Sequence, residues 1–196
     1  MLATGDATLS EIDEAIRTIE NTGNRNLILM QCITNYPSKV ESANVNVLKT
    51  YQTAFDILTG YSDHSPGPVV ALASVVLGGC VIEKHFTLNK NDKGPDHPHS
   101  MNPDEFTQMV KFVREIEKAM GSTRKEVVEE ESETVFVQRR CLYAKRDIAQ
   151  GHVMTADDID VLRPALGIPP KYKNIIIGKV AKTNIKKGEP LFWENF

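Results

Sequence analysis

Three segments concentrate the side chains able to do chemistry: GYSDHSPG from Gly60 to Gly67, VIEKHF from Val81 to Phe86, and GPDHPHS from Gly94 to Ser100. Alternate side chains of an extended chain share a face, so Ser62 aligns with His64 and Glu83 with His85. The two histidines are 21 residues apart, each at the end of an apolar run and each followed by a loop with Gly or Pro. Two neutral imidazoles on neighbouring strand ends suit Mn, Fe, Co or Zn and leave positions open for water and substrate. The plainer alternative is that each histidine only caps its strand. Glu83 falls in a strand expected to be buried, where a carboxylate needs a polar pocket, a cation or a lysine. Asp96, His97 and His99 lie in a loop that either folds over the mouth of the site or is simply solvated. Earlier, Cys32-Ile33-Thr34-Asn35-Tyr36-Pro37 sets Thr34 and Tyr36 on one side of a strand end, unless it is turn chemistry before Pro37.

The elements that must position these residues follow from periodicity. Asn26–Ile33, Ile57–Ser62 and Cys80–Phe86 are short apolar runs that predict strands, and Leu2-Ala3-Thr4 reads as a strand stub. Between them, Leu9, Ile12, Ala15, Ile16 and Ile19 give Thr8–Glu20 one apolar helical face. Thr8 with Glu11 is a capping-box pair. Val45–Phe55 and Pro68–Leu77 are helix candidates, and Pro103–Met120 is the strongest, with Asn102 to cap it and Gly121 to end it. Alternating β and α predict a parallel sheet covered by helices, with the active site at the C-terminal strand ends. A full eight-unit barrel takes about 250 residues, and 1–121 provides roughly half of one.

Composition narrows the classes. The 196 residues are 41% hydrophobic and 25% charged with a net charge of −3, which excludes a disordered or fibrous chain and gives no global attraction to nucleic acid or anionic lipid. The apolar run Val69–Ile82 is interrupted by Ser74 and Gly78-Gly79 and falls short of the roughly 20 residues a membrane span needs. MLATGDATLSE lacks a basic and a long apolar region, so no secretory signal is expected. Cys32, Cys80 and Cys141 have no zinc or disulfide spacing, which predicts a reducing cytoplasm and buried thiols.

Residues 122–138 are dense in charge and read as an exposed linker. In 139–196, AKRDIAQGHVM (Ala144–Met154) recurs as AKTNIKKGEPL (Ala181–Leu191). Each copy has a strand-like start and a turn at Gly151 or Gly188, predicting two related β-hairpin-like units in a small β-rich domain.

Taken together, Cys-x-x-x-Tyr-Pro, Gly-Tyr-Ser-Asp-His, Ile-Glu-Lys-His-Phe and Gly-Pro-Asp-His resemble the sialic acid synthase family, which makes N-acetylneuraminic, legionaminic and pseudaminic acids. RRCLYAKRDIAQG, the segment Arg163-Pro164-Ala165-Leu166-Gly167-Ile168 and IKKGEPL resemble its C-terminal antifreeze-like domain (SAF, β-clip). The implied fold is α/β: about the last four units of a TIM (β/α) barrel followed by a small SAF domain. The implied reaction condenses phosphoenolpyruvate with N-acetylmannosamine or a related amino sugar, forming a carbon–carbon bond and releasing phosphate. By resemblance, His64 and His85 hold a divalent metal, Mn2+ foremost. Ser62 and Thr34 face phosphoenolpyruvate, and Tyr36, Glu83 and Asp96 surround the amino sugar, with Glu83 as the catalytic carboxylate. Arg163 matches an arginine inserted into the partner's barrel in a domain-swapped homodimer, a task suited to a forked, permanently charged donor.

The chain departs from the family where Ser-Thr-Gly-Met is replaced by Ala3-Thr4-Gly5-Asp6, and the first four or so units, with lysines for the strongly anionic phosphoenolpyruvate, have no counterpart. The expectation is a truncated product, a mispredicted start or one piece of a split enzyme, with little or no synthase activity alone. A non-catalytic sugar-binding module is the alternative, and a two-histidine metallohydrolase ranks last for want of a nucleophile or general base.

Overall fold

Residues 1–196 are described by a computed structural model, and they form two compact units, Met1–Ser122 and Thr123–Phe196. The first alternates β1 (Leu2–Ala3), α1 (Leu9–Glu20), β2 (Ile28–Cys32), α2 (Val47–Phe55), β3 (Leu58–Asp63), α3 (Val69–Val76), β4 (Val81–Lys84) and α4 (Pro103–Met120). The strands form one parallel sheet in the order β1-β2-β3-β4, as expected when each connection is a helical crossover. Sequence set several boundaries directly. The Thr8 hydroxyl accepts from Glu11 N while the Glu11 carboxylate accepts from Thr8 N at 2.7 Å. Asn102 and Glu105 make the same reciprocal cap on α4.

Strand alternation sorts the sheet into two faces. Leu29 packs with Ile12, Ile16 and Tyr51, Tyr61 with Leu48 and Val70, and Ile82 with Ala71 and Met109. These residues form the face covered by α1–α4. Met30, Cys32, Gly60, Ser62 and Glu83 alternate onto the other face. No helix of the protein is long and apolar enough to cross a membrane.

The second unit holds α5 (Val135–Gln138), the antiparallel pair β5 (Cys141–Ala144) and β6 (Ile159–Leu162), and α6 (Lys173–Ile176). The repeated segments are two facing turns that complete one another. Ile148 and Ile185 form an antiparallel bridge. Asp147 Oδ1 accepts from Lys187 N and Asn184 Oδ1 from Gln150 N, both at 2.8 Å. Gly188 N donates to Ala144 O and Gly151 N to Ala181 O. The reciprocal bonds explain why Asp147 and Asn184 occupy equivalent places in the echo. Their core is Leu142, Ala144, Ile148, Met154, Ile159, Ile168, Ile176, Ala181, Ile185 and Leu191.

Two expectations require correction. Cys32 and Cys141 are buried, but Cys80 is exposed, because it follows the Gly78-Gly79 turn at the start of an edge strand. Glu83 is exposed as well, since β4 is the sheet edge and its side chain lies on the face without helices.

Candidate active site

The parallel topology brings the chain ends of β2, β3 and β4 to one side of the first unit. Ser62 and Glu83 are register partners on β3 and β4, and the Ser62 hydroxyl donates to Glu83 Oε1 at 2.6 Å. Past the strand ends, the His64 and His85 rings are 5.4 Å apart between centroids, edge to face. The Tyr36 ring lies 4.1 Å from His64 and 5.2 Å from His85. Tyr36 is 53% exposed.

The hydrogen-bond network fixes the His64 tautomer. Nδ1 lies 2.6 Å from the Ile33 carbonyl, which can only accept, so Nδ1 carries the proton of the neutral ring. Nε2 of that tautomer carries no proton, so its 3.2 Å contact with Ser62 Oγ competes with Glu83 for the one Ser62 proton. Burial lowers the His85 pKa. The Asp96 carboxylate opposes that shift, the neighbouring His64 and His99 add to it, and Glu83 opposes it. A histidine held below its ordinary value stays neutral, the form that offers a lone pair to a cation.

The loop after β4 also reaches the cluster. Asp96 Oδ2 is 3.9 Å from His85 Nδ1, and Asp96 Oδ1 is 3.9 Å from His99 Nε2. Ligand atoms of His85, Asp96 and His99 all lie within 4.8 Å of one another. Imidazole nitrogens with one carboxylate form a donor set suited to a mid-row divalent ion; of the two histidines that the resemblance assigns to the metal, this group holds His85 and not His64. His97, in the same loop, is directed elsewhere, with Nδ1 2.7 Å from Thr87 Oγ1.

Thr34 does not join this group. β2 ends at Cys32, so strand parity does not carry through to Thr34 and Tyr36, and Thr34 instead donates to Asp6 Oδ2 at 2.8 Å. Arg163 belongs to the second unit, where it is exposed. The Pro164 carbonyl beside it accepts from Tyr143 Oη at 2.8 Å and Cys141 Sγ at 3.3 Å.

Sequence reasoning overlooked one buried feature. Asp63 and Lys84 are register partners on the helix-covered face, and Lys84 Nζ donates to Asp63 Oδ2 and to the Ser65 carbonyl. Asp63 Oδ1 accepts from Ser65 N and Ser65 Oγ. This ties β4 to the turn that carries His64. Adjacent strands with Asp and Lys at matched parity were the available signal.

The chain is similar to known proteins over nearly its whole length. Residues 1–125 match the NeuB family and residues 139–196 match the SAF domain. The N,N'-diacetyllegionaminic acid synthase of Campylobacter jejuni is 39% identical over 191 residues, which cover 96% of this chain and 57% of that protein. The pseudaminic acid synthase of Helicobacter pylori is 33% identical over 191 residues, covering 97% and 56%. Among solved structures, the N-acetylneuraminic acid (sialic acid) synthetase of Leptospira borgpetersenii aligns with a TM-score of 0.62 and 31% identity over 68% of this chain and 47% of that one. The chain spans somewhat more than half the length of the curated relatives it matches.

Proposed function

The chain belongs to the NeuB family, and on that premise we propose that it carries the metal and amino-sugar side of a nonulosonic acid synthase. The reaction joins phosphoenolpyruvate to the aldehyde carbon of N-acetylmannosamine or a related amino sugar, and attack by water leads to loss of phosphate. The carrying observation is the meeting of Tyr36, His64 and His85 at adjacent parallel strand ends, with ring centroids 4.1–5.4 Å apart.

His64 and His85 would hold a divalent ion, Mn2+ by resemblance, and a bound ion would polarise the sugar aldehyde as a Lewis acid. Tyr36 offers its ring and hydroxyl to the sugar. Glu83 Oε1 accepts a hydrogen bond from the Ser62 hydroxyl, and Oε2 is left for a sugar hydroxyl, where it can hold or move a proton. Asp96 borders the same space and is a further acceptor. Ser62 and Thr34 are assigned to the phosphoenolpyruvate side. Arg163 is assigned to the amino sugar of a partner subunit in a domain-swapped homodimer, on a loop braced by Tyr143 and Cys141. A cytoplasmic location accords with free thiols at all three cysteines.

One observation favours a second reading, sugar binding without condensation. Phosphoenolpyruvate is strongly anionic, yet Thr34 is bonded to the Asp6 carboxylate and Lys84 is engaged by Asp63. Saturation-transfer NMR of the 196-residue chain with N-acetylmannosamine and Mn2+ tests the shared part. Phosphate release after adding phosphoenolpyruvate separates the two readings. Sugar binding that requires Mn2+ is expected, and no saturation transfer to any amino sugar would remove both.

A further inference from the structure

His99 has a side chain only 7% exposed, and its Nε2 is a buried polar atom with no hydrogen-bond partner. Buried polar atoms are normally satisfied, so an orphan aimed into a polar cluster marks a missing ligand. Asp96, at 3.9 Å, is too far to be its hydrogen-bond acceptor.

The loop is built to bring His99 back to the strand end. Residues 86 and 101 form a parallel bridge. Met101 N donates to His85 O at 2.8 Å and Thr87 N to Met101 O at 2.9 Å. Ser100 N and Oγ both donate to Asp96 O, closing a tight turn that sets Asp96 and His99 side by side. The His99 ring stands 5.1 Å from that of His85. A first-row divalent ion with bonds of about 2.0–2.2 Å keeps its ligand atoms roughly 3–4 Å apart. Asp96 faces His85 through Oδ2 and His99 through Oδ1, each at 3.9 Å, and one ligand atom from each of the three residues lies within 4.8 Å of the others.

The geometry points to His99, with His85 and Asp96, as ligands of a divalent transition-metal ion, a site that adds a loop imidazole and a carboxylate beside the His64–His85 pair. It takes a borderline ion such as Zn2+ or Co2+ in preference to Ca2+ or Mg2+, which favour all-oxygen shells. It rests on the proposed function only in sharing His85, and metal loading is read without turnover.

The test uses the full chain, stripped with chelator and titrated with Zn2+, with long-range 1H–15N spectra reading its five imidazoles. Nε2 of His99 is expected to shift with stoichiometric metal, while His97, held at Thr87, and His152, in the second unit, stay in place. His99→Ala is expected to weaken Zn2+ affinity by about tenfold or more. Shifts confined to His64 and His85, or His99→Ala binding within twofold of the parent, would overturn the assignment and leave the synthase reading standing. Failure to bind Zn2+ at all would overturn it together with the metal part of that reading. The spectra of the unaltered chain decide the matter even if His99→Ala does not fold.

Discussion

Lys84 donates to Asp63 at 2.8 Å, and neither side chain is more than 2% exposed. The pair crosses from β4 to β3 one residue before each strand gives way to a site histidine. Removing one partner strands a buried charge, which costs about 3–5 kcal/mol. Asp63→Asn and Lys84→Met should each destabilise the Met1–Ser122 unit by about that amount in urea, followed by far-UV circular dichroism. The double variant should recover part of the loss, because both charges are gone. Additive losses would show that the two residues act independently.

How much of this was legible beforehand follows from how local each signal is. The caps at Thr8 and Asn102 depend on residues three apart, so sequence alone placed α1 and α4 within a residue. Apolar runs placed β2–β4, and strand parity set Ser62 with His64. Parity failed for Thr34 because β2 ended two residues earlier, and Thr34 turned to Asp6 instead. It misjudged the exposure of Glu83 because nothing local says that β4 is an edge. For His99 the sequence left two places open, over the mouth of the site or in solvent: a loop has no period, and only the bridge of 86 to 101 returns that residue to the strand end.

Gly60 marks a close approach between strands. A Cβ there would lie 2.5 Å from Met30 Sδ and 2.7 Å from the Val81 carbonyl. Gly60→Ala should therefore cost about 1–3 kcal/mol through overpacking, measured by the same urea transition. Adding Met30→Ala should relieve only part of it, since the Val81 oxygen is backbone and cannot move aside. Full relief would mean that the clash is with Met30 alone.

Tyr36 separates ring from hydroxyl. Being 53% exposed, it should leave folding stability within about 0.5 kcal/mol when changed to Phe. Under the proposed function, Tyr36→Phe loses one hydrogen bond to the amino sugar and weakens its affinity by about 2–10-fold. Tyr36→Ala loses the stacking surface too and should weaken it further. An NMR titration with N-acetylmannosamine in Mn2+ checks both, and an unchanged affinity in Tyr36→Phe would take the hydroxyl out of the sugar site.

Asp158 should make the second unit acid-sensitive. Its side chain is fully buried, with Arg146 Nε at 2.5 Å and His152 Nε2 at 2.9 Å, and Thr155 donates from both N and Oγ1 at 2.7 Å. Burial alone would raise its pKa, but the bonds from His152, Thr155 and Arg146 outweigh burial and hold the carboxyl well below the usual carboxylate range. A folded-state pKa below the unfolded value of about 3.9 means a contribution that is complete above that value and is lost as pH falls toward the folded one. Trp193, the sole tryptophan, meets Tyr172 edge to face in this unit, so its fluorescence follows this unit's unfolding. Asp158→Asn should lower stability at neutral pH by about 3–5 kcal/mol. Below pH ~4 the parent should lose stability more steeply than Asp158→Asn, by about 1.4 kcal/mol per pH unit. Parallel slopes would mean that Asp158 protonates in the folded unit as it does in an unfolded chain, and the four donors around it would then have no part in holding the charge.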